Sequence, residues 1–470
     1  MRVNAVQGCF GKVRRSNARY LVGEVRRVLI LRWMHLDMRI LIISYYFPPV
    51  VSPAAQRLES FARYLAEFGH DVIVLTHGEK NGKCRIENYT VVARSSSVIN
   101  WFFSTFSRHR KEINGGQSQS SGQNSSFGFK LIKYFNSFRI SRGLGFLGRM
   151  PDLSDFWAVQ ARKWLDHQEP VDWVISSYAP YSNHLLGLYC KKANITRHWL
   201  ADFRDLWSDH HFFRGLPFFS HIERILEKKV LASSDIVTTV SAPFAQRLDQ
   251  KMRAGTACVI HNGFSADAIN LTIPKGKQSF DIVYTGTIYP KAQDITPFLM
   301  AIGQLNAEWR GAAQFSYYGP SLDVVLGTMR PDGDHSHIRA FGVSPHSTCV
   351  EAQLGANVLL FLDVKSPRCD GILPAKIFEY IGSGKPILAI TDDVNSSAIS
   401  LLLEHGNTIV ASHDQEEILA TLRELVKKQP KASEPLTESH PLSRRSQAIE
   451  LNRLLENATQ KLPMMSALHE

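Results

Sequence analysis

The stretch Pro374-Ala-Lys-Ile-Phe-Glu-Tyr-Ile-Gly-Ser-Gly-Lys-Pro-Ile-Leu388 is the part of the chain best equipped for chemistry. It reads as a loop running into a helix. The first amides of a helix have no intrahelical partner, so they are free to hold an anion. Glu379 falls inside that helix, where a carboxylate can accept hydrogen bonds from sugar or ribose hydroxyls. Gly384-Lys385-Pro386 then turns the chain back into an apolar run. A second cluster is Ala201-Asp-Phe-Arg-Asp-Leu-Trp207. Its residue types allow two readings: Asp202, Arg204 and Asp205 form an ion-pair group at a strand end, or they line a cleft. The hydroxyl and aromatic loop Ser176–Tyr181 would lie next to them.

Other motif-like spacings lack the context their chemistry needs. Gly143-Leu-Gly-Phe-Leu-Gly148 spells a dinucleotide fingerprint, but no strand precedes it and Pro151 follows. Gly382-Ser-Gly-Lys385 resembles the end of a phosphate loop, but Pro386 replaces the metal-binding hydroxyl. The six cysteines are scattered without metal-ligand spacing, which fits thiols in a reducing compartment. No metal site is expected, and Asp392-Asp393 is a poor stand-in for a metal-binding acidic pair.

The elements that must position these residues alternate. Arg39–Ser44 is a short buried strand, the Pro-rich loop Tyr45–Ser52 follows, and a helix runs from Pro53 to Gly69. Apolar residues of that helix recur at helical spacing, and Arg57, Glu59, Arg63 and Glu67 are assigned to the opposite face. Asp71–Thr76 is the next strand, which makes a parallel pair with a right-handed crossover. Strands at 171–177, 199–203, 236–240 and 258–261 follow, with helices at 181–192 and 222–232 between them. A second alternation opens at Asp281–Gly286. It continues with strands at 315–318, 358–362 and 386–390 and helices at 295–309, 375–382, 418–428 and 448–461. Two such alternations predict two doubly wound α/β domains, with ligands beyond the carboxyl ends of the strands.

Length and charge agree with that division. A chain of 470 residues is too long for one core. Its net charge of +11 is local: residues 1–37 carry +6, residues 96–150 carry +7, and the remainder sums to −2. The folded domains are therefore not a nucleic-acid surface, and the basic segments are suited to anionic lipid. No apolar run approaches the roughly 18 residues of a membrane span, and Val28–Trp33 is short and broken by Arg32. Residues 1–37 read as a disordered basic leader or the product of too early a start. Residues 38–270 read as the N-terminal domain, with a flexible basic insert at about 96–150. The second domain is placed at 271–430 and a helical tail at 431–470.

With these stretches in hand, the chain resembles glycosyltransferase family 4, retaining enzymes of the GT-B fold. Pro374–Leu388 is similar to the family's C-terminal signature. Met38–Pro49 with Gly69–Val72, Ala201–Trp207, Val240-Ser241 with Ile260–Phe264, and Asp281–Lys291 match further stretches in order. The resemblance implies two Rossmann-like domains facing across a cleft. It implies that Glu379 is the second Glu of the Glu-x7-Glu motif and binds ribose; the first falls at Gly371, with Asp370 one residue away. The backbone of Ile372, Leu373, Pro374 and Ala375 would face the diphosphate, along with Gly286, Thr287 and Lys291. Thr287 stands where an Arg is common, and Lys365, Arg368 or Lys376 would restore that charge. Arg204 stands where many members have His, with Asp205 after it, on the acceptor side. Arg204, Asp205, Lys291 and Glu379 are thus the catalytic candidates.

The function expected from this resemblance is transfer of a sugar from a nucleotide diphosphate sugar to an acceptor hydroxyl. No cofactor is expected beyond the donor, a UDP-sugar being favoured. The acceptor would be lipid-linked or a saccharide, in bacterial surface polysaccharide, lipopolysaccharide or capsule assembly. The expected location is cytoplasmic, at the inner face of the plasma membrane. The alternatives are a non-catalytic nucleotide-sugar-binding subunit and a sugar-nucleotide epimerase of the same fold.

Overall fold

A computed structural model of the chain describes residues 37–100, 148–210, 215–267, 280–290, 292–327, 335–364 and 370–461. Residues 1–36, residues 101–147 of the basic insert, Lys291, Lys365, Arg368 and the expected boundary near 270 lie outside them.

In chain order, β1 (Arg39–Ile43) leads to α1 (Pro53–Glu67), β2 (Asp71–His77) and the strands β3 (Gly82–Ile86) and β4 (Tyr89–Arg94). There follow α2 (Ser154–Leu165), β5 (Val171–Tyr178), α3 (Ser182–Lys192), β6 (Thr196–Phe203) and α4 (Pro217–Ser233). This half ends with β7 (Ile236–Thr239), α5 (Ala242–Asp249) and β8 (Cys258–Val259). The second half holds β9 (Phe280–Thr285), α6 (Thr296–Glu308), β10 (Ala313–Tyr318), α7 (Leu322–Gly327) and β11 (Ile338–Ala340). It continues with α8 (His346–Gly355), β12 (Val358–Leu362), α9 (Ala375–Ser383), β13 (Pro386–Ile390), α10 (Ser397–His405) and β14 (Asn407–Ala411). Helices α11 (Gln415–Lys428) and α12 (Arg444–Lys461) close the chain.

The first sheet has the order β3-β4-β2-β1-β5-β6-β7-β8, and the second β11-β10-β9-β12-β13-β14. Among the described strands, only β3 runs antiparallel to its neighbour. Strands buried on both faces read as continuous apolar runs. In β1, Ile40 and Ile42 join the layer under α1, while Leu41 and Ile43 join the opposite layer under α2 and α3. Each sheet steps outward and then reverses, at β1/β5 and at β9/β12, which is the arrangement that opens a crevice beyond the strand ends.

Several features depart from the sequence reading. The β3–β4 hairpin, α2, α5, α8, α10 and the edge strand β14 are elements beyond those read from the sequence. Arg57 was assigned to the solvated face of α1, yet it is buried at 2% exposure. The C-terminal helix α12 crosses back to the first domain. Ala448, Leu451 and Leu455 pack there with Ile40 and Leu58, and the Trp173 indole donates to Thr459 at 2.9 Å. Among the described residues, no helix is long and apolar enough to cross a membrane.

Candidate functional site

The reversal point of the second sheet gathers most of the predicted residues. β9 ends at Thr285, and Gly286 turns the chain with φ of +103°, where a side chain would be strained. Its amide donates to the Tyr318 carbonyl at 2.7 Å, and its carbonyl accepts from the Tyr317 hydroxyl at 3.2 Å. The Thr287 carbonyl accepts from the Tyr284 hydroxyl at 3.0 Å. The turn is thus held by three tyrosines on two strand ends, Tyr284 of β9 and Tyr317 and Tyr318 of β10.

Facing it, α9 begins after Pro374, and no side chain caps its first amides. Lys376, the second residue of α9, reaches back to the turn. Its Nζ donates to the Tyr284 hydroxyl at 2.5 Å and lies 3.8 Å from the centre of the Tyr284 ring. A Cβ on Gly286 would come within 3.8 Å of the same amine. Burial pushes the amine's pKa down to about 7, and Glu379 opposes that shift. A partly dehydrated amine at the positive end of a helix is a poor place for an isolated cation and a good one for an anion's partner. Lys376 thus lies at the Gly286 turn, while Lys365 and Arg368, the other two cations considered for the missing arginine charge, lie outside the described residues.

Glu379 lies nearly one turn further along α9. Its carboxylate accepts from His346 Nε2 at 2.8 Å and from Gln353 Nε2 at 2.9 Å. The Gln353 amide also donates to Thr285 Oγ1 at 2.9 Å, and the Tyr380 hydroxyl accepts from the Thr285 amide at 3.0 Å. Burial alone would raise the pKa of Glu379; the hydrogen bonds and charge of His346, with Gln353, outweigh it and hold the carboxyl below its ordinary range. His346 and Gln353 escaped the sequence reading. They sit on α8, whose sequence carries no motif, and only its packing against α9 brings them here.

Gly371 shows why one half of the acidic motif is missing. Its φ is +93°, and a Cβ there would lie 2.6 Å from the Phe244 ring and 2.9 Å from Ser241 Oγ. The Ser241 hydroxyl donates to the Gly371 carbonyl at 2.7 Å, so the two domains meet at bare backbone. Asp370 does not replace the absent Glu at this spot: it accepts from the Ser397 hydroxyl at 2.7 Å, on the side of α10. Ile372 packs against the first domain's core, and Leu373 is buried in the second domain's. Ala375 is the first residue of α9. A cavity of about 300 Å³ adjoins this loop, lined by Asp363, Gly371, Pro374 and His413 among others.

Across the cleft, the cluster at the end of β6 splits in two. Asp202 is fully buried and held by Arg57 through two bonds, Nη2–Oδ1 at 2.8 Å and Nε–Oδ2 at 3.1 Å. Ser177 and Thr238 hydroxyls donate to it at 2.7 and 2.9 Å. Burial would raise its pKa, but these partners, Arg57 foremost, hold it low. Arg57 also donates to the His261 carbonyl at 2.8 Å, which anchors the interdomain linker. Asp202 is therefore structural, and its partner is Arg57 rather than the neighbouring Arg204. Arg204 and Asp205 pair with each other at 3.0 Å and stay partly exposed. Burial and then Asp205 raise the pKa of Tyr289, so Asp205 lies within electrostatic reach of the loop after β9. Lys291, on the same loop, lies outside the described residues. Among the described residues, no cluster of His, Cys, Asp or Glu could hold a metal ion.

No protein-family model matches the chain, and no curated protein sequence does. Solved structures do. An E. coli structure described as trehalose-6-phosphate bound with UDP-2-fluoro glucose is 11% identical, covers 90% of this chain and 97% of that one, with a TM-score of 0.52. The catalytic domain of starch synthase IV from Arabidopsis thaliana, bound to ADP and acarbose, is 12% identical over 91% of this chain and 100% of that one, with a TM-score of 0.52. A Burkholderia xenovorans α,α-trehalose-phosphate synthase (UDP-forming), in complex with glucose-6-phosphate, is 12% identical over 89% of this chain and 96% of that one, with a TM-score of 0.50. At such identities the likeness speaks for architecture alone: the chain has the GT-B fold, two Rossmann-like domains facing each other across a cleft.

Proposed function

We propose that this chain transfers a glycosyl group from a nucleotide diphosphate sugar to an acceptor hydroxyl. The observation that carries the reading is the meeting of Lys376, the uncapped start of α9 and the Gly286 turn at the reversal point of the second sheet. A diphosphate placed there would meet an ammonium group and free amides at once. As the glycosidic bond breaks, charge grows on the departing diphosphate, and donors already aimed at it lower the barrier. Glu379, oriented by His346 and Gln353, is placed to accept the ribose hydroxyls. Asp205, paired with Arg204, is within electrostatic reach of Tyr289 on the loop after β9, and domain closure would bring the acceptor up from this side and exclude water.

The finer parts of the proposal follow the family resemblance. They are a UDP-sugar donor, retention of configuration without a metal or other cofactor, and a lipid-linked or saccharide acceptor in surface polysaccharide or lipopolysaccharide assembly. A cytoplasmic enzyme held at an anionic membrane by its basic segments belongs to the same proposal. That the neighbouring structures hold UDP-2-fluoro glucose and ADP supports a nucleotide sugar as donor. The test is a thermal-shift screen of nucleotide sugars followed by a turnover assay. Steady release of nucleoside diphosphate that depends on Lys376 and Glu379 is expected. Tight binding with no turnover in the presence of any acceptor extract overturns the transferase reading in favour of a binding subunit.

A further inference from the structure

The outer surface of the first domain's helical layer has an unusual division of side chains. Helices α2, α3 and α4 cover the same face of the first sheet, and their inner sides share one core. On α4, both acidic residues point inward. Glu223 is held by Arg149 through Nη2–Oε2 at 2.7 Å and by the Trp207 indole at 3.2 Å, and Glu227 by Lys251 at 2.9 Å. The cations of α4 point outward: Arg224, Lys228 and Lys229 are exposed. On α2, Asp155 turns in to bond the Tyr181 hydroxyl, while Arg162 and Lys163 are exposed, as is Lys192 on α3. No aspartate or glutamate within these three helices is exposed.

Large apolar side chains stand among those cations. Phe218 is 71% exposed and Ile225 44% on α4, and Phe156 is 47% and Val159 54% exposed on α2. Topology puts the two phenylalanines at one end. Both helices run antiparallel to the strands they precede, so their first turns lie beyond the carboxyl ends of the sheet, where Arg204 and the cleft are. Phe219 stands next to Phe218 at the start of α4, their rings 5.5 Å apart.

From this arrangement we infer that the outer face of α2 and α4 is a docking surface for an anionic phospholipid bilayer. The occupant follows from the charge and shape together. Within the helices the exposed charges are all cations, and the exposed acids Asp166 and Glu169 lie beyond the last turn of α2, away from Phe156 and Phe218, so the helical face complements a flat negative surface. Single apolar side chains rimmed by cations suit the boundary between headgroups and acyl chains. The exposed residues of this surface belong to neither basic segment, 1–37 or 96–150, and the inference does not depend on the donor site. Resting on the proposed transfer, one consequence is added: docking would set the cleft mouth at the bilayer, where an acceptor with a lipid anchor presents its hydroxyl.

The test is flotation of the full-length chain with vesicles of phosphatidylethanolamine and phosphatidylglycerol in equal amounts. The variants are Lys228→Gln/Lys229→Gln, Phe218→Ser/Ile225→Ser and, as a control on the other domain, Lys427→Gln/Lys428→Gln. Each lost cation should weaken retention about five-fold, so the α4 pair falls about 25-fold while the control pair stays near wild type. The Phe218/Ile225 variant should lose retention at high salt as well as low. Vesicles of phosphatidylcholine alone should not retain the wild type. Unfolding temperature and the thermal shift with UDP-glucose should be unchanged in all variants, which keeps a failure here distinct from a failure of the donor site. Retention of both α4 variants at the wild-type level overturns the inference. So does a wild type that ignores these vesicles but binds an acidic polypeptide.

Discussion

Lys376 offers the sharpest test of the donor site, because its protonation and donor binding must be linked. In the free protein the amine has a pKa of about 7, lowered by burial. A diphosphate beside it favours the charged form and returns the pKa towards the ordinary lysine value of 10.5. Below pH 7 the amine is charged before and after binding, so affinity is flat. Above pH 7 the free amine is neutral, and binding must draw a proton from solution. Affinity should then fall about tenfold per pH unit, so the Kd for UDP-glucose at pH 8.5 should be about 30-fold weaker than at pH 6. UDP-glucose suits the assay because its diphosphate, esterified at both ends, does not titrate in this window. Isothermal calorimetry in two buffers should also record uptake of about one proton near pH 8. Lys376→Met should weaken binding about 10- to 100-fold at pH 6 and remove the slope. The same variant should be more thermostable than wild type at pH 6, where the buried charge costs most. That gap should narrow above pH 7, since between there and 10.5 the unfolded chain binds more protons and wild-type stability rises with pH. A wild-type Kd that is flat from pH 6 to 8.5, or an equal slope in Lys376→Met, refutes the placement of the diphosphate at this amine.

Glu379→Gln should weaken UDP-glucose binding about tenfold. Because the folded-state pKa of Glu379 lies below the ordinary carboxyl value of 4.5, its stabilising contribution is present above that pH, and the stability difference from Gln should shrink on acidification below it, as read by chemical denaturation. Gly371→Ala should cost about 2–4 kcal/mol, from strain at positive φ and contact with Phe244, measured as a fall in unfolding free energy. Arg57→Met should cost about 3–5 kcal/mol by leaving Asp202 buried without its partner. Arg204→Ala should instead lower kcat about a hundredfold with an unfolding free energy within about 0.5 kcal/mol of wild type.

Much of the architecture was legible in the sequence because buried parallel strands are written as unbroken apolar runs. Ile40–Ile43, Ile282–Tyr284 and Pro386–Ile390 announce themselves in this way, and helices with a clear apolar stripe, such as Pro53–Glu67, do the same. The loop-to-helix step at Pro374 and the Glu in the helix behind it were equally plain, since local sequence alone makes a free helix start. What the sequence could not decide was which side chains meet. Arg57 reads as a solvated helix position, and only the packing of α1 over β6 turns it onto Asp202. His346 and Gln353 belong to no motif and reach Glu379 from a helix 26 to 33 residues earlier in the chain. Lys376 was one of three cations read as stand-ins for a lost arginine; its place beside the Gly286 turn follows from the first turn of α9 facing that turn. Local elements arise from periodicity within a few residues, so the sequence determined them. The partners of buried charges are set by where two sheets and their crossing helices come together, and that was decided by the tertiary structure alone.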